Sequence, residues 1–106
     1  MNIGDKIMEL SKELSIPCYY IKRQENVNEC IVYTYIEMPN LVADNRELTA
    51  QYTILFNIYC TSNVEKTKNI IKEALDKHGF KKKIIVGTVL EENNIYNTAM
   101  QYTISL

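Results

Sequence analysis

The sequence lacks several features on which common protein chemistries depend. It contains no tryptophan, one histidine, three glycines and two prolines. Because Gly4, Gly79 and Gly87 lie far apart, they form no glycine-rich loop that would hold a phosphate group. Twelve basic and thirteen acidic side chains leave a formal charge of -1. We therefore expect no general attraction to nucleic acid or to an anionic membrane surface.

Long apolar segments and closely spaced cysteines are missing as well. No apolar stretch has the length of a bilayer-spanning helix, and the first residues, MNIGDKIMELSKEL, lack the apolar centre of a signal peptide. Cys18, Cys30 and Cys60 include no close pair of the kind that zinc sites use, so we predict no metal site. An odd number of cysteines is typical of a reducing compartment.

The chain does contain enough apolar material for one folded domain. Its 106 residues are 46% hydrophobic and 24% charged. This composition predicts a single domain over residues 1–106 rather than a disordered chain. A domain of this size buries more than half of the surface that its unfolded chain exposes. We therefore expect a core that needs no disulfide or metal ion to support it.

One long β-strand is the clearest structural pattern in the sequence. Apolar residues occupy every second position in its central part: Leu48, Ala50, Tyr52, Ile54, Phe56, Ile58 and Cys60. Side chains alternate between the two faces of a strand, so these residues share one face. The strand would reach roughly 40 Å, whereas a compact domain of this length has a radius of gyration of only about 13 Å. The strand must bend or project, and a projecting strand usually meets another chain.

Two helices are predicted from residue spacing and capping. The first runs from about Ile3 to Leu14, is capped by Asn2 and ends before Pro17. The second begins at a capping box made by Ser62 and Glu65 and stops at Gly79.

The rest of the chain supplies strands and loops. Residues 17–29 are predicted to be irregular. Further strands are predicted over Cys30–Ile36, Lys82–Glu91 and Thr98–Ser105. Met38, Pro39 and Asn40 are expected to end the first of these, which leaves Glu37–Arg46 as a loop. On Lys82–Glu91 the residues in phase for the inward face are Ile84, Val86 and Leu90.

The order of elements is helix, strand, strand, repeated once. Gln51–Ile54 and Gln101–Ile104 both read QYTI, each on the second strand after a helix. This order predicts an α+β domain, α-β-β-α-β-β, with a four-stranded, mainly antiparallel sheet and both helices on one face. The long strand, the second helix and the strand after it are in position to form a crossover.

Residues with catalytic or ligand-binding potential are few. His78 lies at a predicted helix end, where a polarisable group is favourable. Cys18 or Cys60 paired with His78 would make a thiol enzyme, which is one alternative. The basic run Lys81–Lys83, used with tyrosines on the outer face of the sheet, would make a nucleic-acid-binding module, which is another. We expect neither, and we predict that the chain is not an enzyme.

An interface between subunits is the more direct prediction. The chain has eight tyrosines, and tyrosine is enriched where proteins meet. Apolar residues also fall in the predicted loop, where they would be costly in a monomer unless the loop folds back onto its own core. The candidate interface residues are Tyr33, Tyr35, Met38, Pro39, Leu41, Val42 and Leu48.

Five segments follow one another along the chain: IVYTYIE, ADNRELTAQY, TILFNIYC, NVEKTKNIIKEALDKHGF and LEENNIYNTAMQYTISL. In this order they resemble the small tail-completion or tail-terminator proteins of long-tailed bacteriophages and prophages. One departure is Gln101, which stands where similar proteins often carry arginine after Ala-Met.

The resemblance implies a compact α+β subunit of a homo-oligomeric ring, commonly a hexamer, that works without a cofactor. Such a ring would cap the tail tube, join it to the head connector and belong to the virion after assembly in the host cytoplasm. The expected partners are thus further copies of the chain, the tail-tube protein and the head-connector protein, with no nucleic acid and no membrane.

Overall fold

The computed structural model describes residues 2–22, 28–43, 46–91 and 94–106, and for 38–43 and 46–50 it describes the backbone alone. In chain order the elements are α1 (Ile3–Leu14), β1 (Cys18–Tyr20), β2 (Cys30–Ala43), β3 (Arg46–Cys60), α2 (Val64–Lys77), β4 (Lys81–Glu91) and β5 (Ile95–Ser105).

The strands form a five-stranded mixed sheet in the order β1-β2-β3-β5-β4. Strand β1 pairs parallel with β2, and the other neighbours are antiparallel. Strand β4 therefore runs parallel to β3 with β5 between them, which makes β3-α2-β4 a crossover. The predicted α+β class is confirmed, but the predicted four strands are wrong, because three residues of the segment 17–29 form β1. A strand of three residues is too short to show an alternation of apolar and polar side chains. It forms because it pairs with Ile31–Tyr33 of β2, outside its own segment.

Both helices pack on one face of the sheet and share a single core with it. Ile54 and Phe56 of β3 are fully buried, as are Leu10 of α1 and Leu75 of α2. The inward phase predicted for β3 is confirmed from Tyr52 to Cys60, because each alternate residue there is buried. Burying a side chain the size of Phe56 stabilises the fold by roughly 1.5–3 kcal/mol.

Helix α1 has the limits that the sequence predicts. The Oδ1 atom of Asn2 accepts a hydrogen bond from the backbone N–H of Asp5 at 2.8 Å, so Asn2 caps the first turn as expected. The helix ends at Ser15, whose φ of 56° places it in the left-handed region.

Helix α2 ends as predicted but begins differently. The capping residue is Asn63, with no capping hydrogen bond from its side chain, so the predicted capping box of Ser62 and Glu65 is wrong. Glu65 instead pairs with Lys68 at 3.1 Å. At the other end Gly79 has a φ of +88°, and the Phe80 N–H donates to the Leu75 carbonyl at 3.0 Å. Together with the bond from the Gly79 N–H to Asp76, this is a Schellman ending that turns Phe80 back into the core.

Strand β4 departs most from its predicted packing. Ile84, Val86 and Leu90, predicted to face inward, are 51%, 51% and 56% exposed. The pairing of β4 with β5 shifts register between Lys82 and Ile84 and again between Ile85 and Thr88. The first shift places Ile84 opposite Gln101, on the outer face, so a uniform alternation predicts the wrong face for it. Leu90 pairs with Tyr96, in the helix-side phase, and is exposed there all the same.

Candidate functional site: a projecting hairpin arm

The antiparallel hairpin of β2 and β3 extends beyond the rest of the sheet. Strand β5 pairs with β3 only from Gln51 to Cys60, and β1 pairs with β2 only from Ile31 to Tyr33. Residues 39–43 of β2 and 46–50 of β3 therefore pair with each other, past the last strand on either side. We call this two-stranded segment the arm. It gives the molecule extents of 53 × 24 × 23 Å and a radius of gyration of 14.6 Å.

The arm corrects the prediction of a loop over Glu37–Arg46. Pairing continues from Glu37 opposite Tyr52 out to Ala43 opposite Arg46, so Met38, Pro39 and Asn40 do not end the strand. Register shifts fall between Pro39 and Leu41 and between Leu41 and Val42. Proline is tolerated at bulges and in edge strands, because a missing N–H there breaks no regular ladder. The backbone runs outward as a ribbon and does not form the irregular loop that the sequence predicts.

Five of the candidate interface residues lie on this hairpin. Met38 stands at its base, Pro39, Leu41 and Val42 belong to its β2 side, and Leu48 belongs to its β3 side. Their side chains lie outside the described residues, so their interface role stays a prediction. The structure brings their backbones together on one two-stranded ribbon. Beyond Met38 and Gln51, the two strands of this ribbon pair only with each other in the described chain.

The other two candidates belong to a tyrosine cluster beside the base of the arm. Its members are Tyr20, Tyr33, Tyr35 and Tyr52. The Tyr20 ring lies 5.4 Å from that of Tyr33 and 5.6 Å from that of Tyr35, and Tyr35 meets Tyr52 edge-to-face at 5.6 Å. Tyr33 and Tyr35 are half-buried against the core, so they contribute to folding as well as to the surface.

Sequence reasoning missed Tyr20, which is the most open member of this cluster. Tyr20 is 52% exposed, and it is the last residue of the short strand β1. The available signal was the pair Tyr19-Tyr20 after Pro17, in a segment predicted to be irregular. A cluster of packed tyrosine rings offers an apolar surface with hydroxyl groups at its rim, which suits a partly wet protein contact. Burial raises the pKa of Tyr33, so the hydroxyl of this ring remains a neutral hydrogen-bonding group.

The helix-free face of the sheet is open. Ile36 is 64% exposed and Leu55 is 40% exposed. With Thr34, Tyr35, Thr53 and Gln101 they line a shallow hollow of about 350 Å³. By contrast, Tyr33, Tyr35 and Tyr52 share the phase of Phe56 and Ile54 and lie on the helix side. The rings of the tyrosine cluster therefore lie on the helix side of the sheet, although Tyr35 also borders the hollow on the outer face, where the nucleic-acid alternative would need its stacking surface.

The lone histidine takes part in an ionic contact between the helices. His78 Nε2 and Lys77 Nζ each lie 3.2 Å from Oε1 of Glu13. Hydrogen bonds from Lys77 and then from His78 lower the pKa of the Glu13 carboxyl. The predicted position of His78 at a helix end is confirmed, since it is the C-cap of α2. Its partner in this contact is a carboxylate of α1, which indicates a structural role.

The thiols are in surroundings that oppose a nucleophilic role. Burial raises the pKa of Cys18 to about 11, and its Sγ lies 3.8 Å from the Ile16 carbonyl oxygen. Burial also raises the pKa of Cys60. Because the thiolate is the reactive form, these pKa values argue against the thiol-enzyme alternative.

Metal-ligand clusters and membrane-spanning helices are not found among the described residues. Within 2–22, 28–43, 46–91 and 94–106, no group of three or more histidine, cysteine, aspartate or glutamate side chains is placed to hold a metal ion. Neither α1 nor α2, the helices of the described chain, has the length and apolarity of a membrane span. No protein-family model matches the chain, and no curated protein matches it.

Proposed function

We propose that this chain is a structural subunit of the bacteriophage tail-completion type. In this role, copies of the chain form a closed ring, commonly of six, that caps the tail tube and joins it to the head connector. The sequence resemblance gives the class of protein, and the projecting arm is the structural observation that supports it. The chain then belongs to the virion and assembles in the cytoplasm of its host.

The physical argument begins with the instability of a ribbon that stands alone. An isolated two-stranded hairpin is at best marginally stable in water, and residues 39–43 and 46–50 pair only with each other in the described chain. Each side of the ribbon leaves backbone N–H and C=O groups without a neighbouring strand. A second subunit that packs along the arm would cover these groups and hold the ribbon in one position.

The symmetry of such a contact favours a ring. In the proposed ring the arm of one subunit packs on a different surface of the next subunit. A contact between two different surfaces is heterologous, and it makes a closed ring when its rotation closes on itself. A closed ring ends growth, because no arm and no receiving surface remain free around its circumference.

The tyrosine cluster suits this mechanism because it lies at the base of the arm. Tyr20 is more than half exposed to solvent, while the rings of Tyr33 and Tyr35 pack against its ring. A ring held in place loses little side-chain freedom when a partner covers it. The cluster therefore provides a rigid contact beside a ribbon of only two strands.

The mechanism is geometric and requires no bond to be made or broken. One face of the ring binds the last layer of tube subunits, and the opposite face binds the head connector. The ring stops growth of the tube because its outer face differs from the tube face that it covers, so no further tube subunits can add there.

Binding to isolated tail tubes tests the proposal. Purified tubes are mixed with the chain, and capped ends are counted by negative-stain electron microscopy and by co-sedimentation. In an armless variant, an Asn-Gly turn replaces residues 39–50 and joins Met38 to Gln51, which already face each other in the hairpin. We expect the intact chain to cap tube ends and the armless variant to fold but not to cap them.

The matched control is Ile70→Lys, an exposed apolar position on α2, which should cap like the original chain. Circular dichroism and thermal melting establish that each variant is folded. The proposal is wrong if the intact chain binds neither tube ends nor connector at the concentrations reached during assembly. Equal capping by the armless variant would show that the arm is not the contact.

A further inference from the structure

The chain leaves strand β1 through a strained turn at Ile21. The backbone of Ile21 has a positive φ of 70°. Its N–H donates to the Tyr33 carbonyl at 2.9 Å, and the N–H of Lys22 donates to the Tyr20 carbonyl at 2.8 Å. A bond between residues two apart, across a positive φ, is the mark of a classic γ-turn, which is rare and strained. The two bonds together hold Ile21 in a conformation that isoleucine avoids.

The turn itself does not explain why residue 21 is isoleucine. A β-branched side chain crowds the backbone at positive φ, and a residue held there lowers the stability of the fold. The other positive-φ residues of the described chain are Ser15, Asn63, Asn94 and Gly79, and none of them is β-branched. Asparagine or glycine would make the turn at Ile21 with less strain.

The hydrophobic core does not explain the isoleucine either. Ile21 is 61% exposed and is not among the residues that pack against the core cluster. Burial of the side chain would offset the strain, but most of its surface meets solvent in the single chain. A residue that lowers stability without contributing to the core is typical of a functional position.

The turn places Ile21 directly after the open member of the tyrosine cluster. Tyr20 is 52% exposed, so two consecutive large side chains are presented where β1 ends. The rings of Tyr33 and Tyr35 pack against the Tyr20 ring, and the turn fixes the backbone of Ile21. The N–H groups of Ile21 and Lys22 are already bonded within the chain, so a partner needs to supply no acceptor for them. The surface that fits Ile21 is therefore an apolar recess.

We infer that Ile21 is an anchor of the contact between neighbouring copies of this chain and is seated in an apolar recess of the next copy. The inference rests on the proposed function, because Tyr20 and its cluster lie at the base of the arm that makes the proposed contact. The strained turn holds the side chain in its binding position before the subunits meet. A side chain fixed in advance loses less conformational freedom on binding.

Replacing Ile21 with a residue that suits the turn separates strain from contact. Ile21→Asn relieves the strain and removes the apolar surface. It should raise the melting temperature by about 5 °C, and it should also raise the concentration needed for half-maximal capping of tail tubes by about tenfold. Ile21→Val keeps the β-branch and most of the apolar surface. Its melting temperature should stay within about 2 °C of the original value, and its capping concentration should rise by no more than about threefold.

The matched control is Met8→Gln on α1. Met8 is also an exposed apolar residue, 56% exposed, but it lies in a regular helix. Because glutamine forms helices well, this variant should change neither the melting temperature nor the capping concentration. A photo-reactive phenylalanine analogue at position 20 identifies the partner on capped tubes. We expect mass spectrometry to find its cross-links on a second copy of the chain.

Each half of the test can overturn the inference by itself. If Ile21→Asn is no more stable than the original chain, isoleucine is not strained in the turn and the inference is wrong, whatever the tubes show. If Ile21→Asn is more stable but caps as well as the original, Ile21 is not part of the contact, and the proposed function is unaffected. Cross-links that reach the tube protein alone would exclude a contact between copies at this place. An original chain that caps no tubes would count against the proposed function and against this contact together, even if Ile21→Asn is the more stable.

Discussion

Tyr35 and Tyr52 pack edge-to-face across the β2–β3 hairpin, with ring centroids 5.6 Å apart and an angle of 72° between the rings. They lie where the hairpin is about to leave the sheet, since β5 pairs with β3 no further than Gln51. Tyr52 is buried and Tyr35 is half-buried, and Tyr20 contacts Tyr35 from the other side. This pair therefore anchors the base of the arm to the folded core.

Removing the Tyr35 ring should weaken that anchor. We expect Tyr35→Ala to lower the free energy of unfolding by about 2 kcal/mol, less than the loss for a fully buried aromatic ring. Tyr35→Phe keeps both ring contacts and should cost less than about 1 kcal/mol. Urea unfolding followed by circular dichroism measures both values. Equal losses for the two variants would mean that the hydroxyl group, rather than ring packing, provides the anchor.

The two glycines with open surroundings make a matched test of backbone strain. A Cβ atom at Gly79 or at Gly87 meets nothing within 4 Å, but only Gly79 has a positive φ, +88°. Gly79→Ala should therefore lower the free energy of unfolding by about 1 kcal/mol, because the Schellman ending requires a left-handed residue. Gly87→Ala should change it by less than about 0.5 kcal/mol in either direction. Thermal unfolding of the two variants at matched low concentration decides the point, and a smaller cost at Gly79 than at Gly87 would contradict it.

The contact of Glu13 with Lys77 and His78 should make stability depend on pH. Its folded-state pKa lies below the ordinary value of 4.5, first because of the hydrogen bond from Lys77 and then because of that from His78. A carboxyl with a lowered pKa contributes stability above its unfolded pKa and loses that contribution as the pH falls through its folded value. Glu13→Gln should thus be less stable than the original chain at neutral pH.

This difference should disappear as the pH is lowered through the acidic range to about pH 3, and salt should reduce it, because the contact is exposed. Urea midpoints measured at several pH values follow it. The control is Glu9→Gln one turn earlier on α1, a position for which the described structure gives no ion pair. A constant difference between Glu13→Gln and the original chain at every pH would show that charge is not its source.

Cys18 should react slowly with an alkylating reagent. With a pKa of about 11, roughly one thiol in ten thousand is ionised at neutral pH. While the pH is below the pKa, each increase of one pH unit should raise the rate of alkylation about tenfold. The rate should also increase sharply when the chain is unfolded in urea. Peptide mapping by mass spectrometry assigns the rate to each cysteine. A thiol that reacts faster in the folded chain than in urea would revive the thiol-enzyme alternative.

Local signals in the sequence predicted the parts of the fold that depend on local physics. The cap at Asn2, the stop at Gly79 and the inward face of β3 from Tyr52 to Cys60 follow from capping chemistry, backbone freedom and alternation. The α+β class followed from the order of these elements. The same reasoning predicted that Tyr33 and Phe56 lie on strands, because both belong to strongly β-prone segments, and the structure pairs these two residues across the hairpin.

The parts that were missed depend on partners distant in the chain or on irregular pairing. Strand β1 exists because Cys18–Tyr20 meets Ile31–Tyr33 in parallel, and three residues carry no period of their own. Strand β2 continues through Pro39 because shifts in register accommodate it. In β4, the shift between Lys82 and Ile84 reversed the expected burial of Ile84. Alternation predicts a face only while the register stays constant.

The candidate site was predicted in part for the same reason. Apolar composition indicated the segment around Leu41 and Val42, and tyrosine content indicated Tyr33 and Tyr35. Tyr20 escaped notice because its role comes from the sheet, where β1 places its ring against that of Tyr33. The arm itself was visible only as a strand too long for its domain, while its path as a paired ribbon depended on how far β5 extends.

The placement of β5 between β3 and β4 has a consequence for synthesis on the ribosome. The hairpin joins neighbours in sequence and can form early, but the position between β3 and β4 stays vacant until residues 95–105 have emerged. Until then β3 and β4 each have an edge without a paired strand. The apolar side of the hairpin also lacks Met100 and Tyr102, which are buried in the finished core. A nascent chain paused within α2 or β4 should thus be the form most prone to misassociation and most dependent on chaperones.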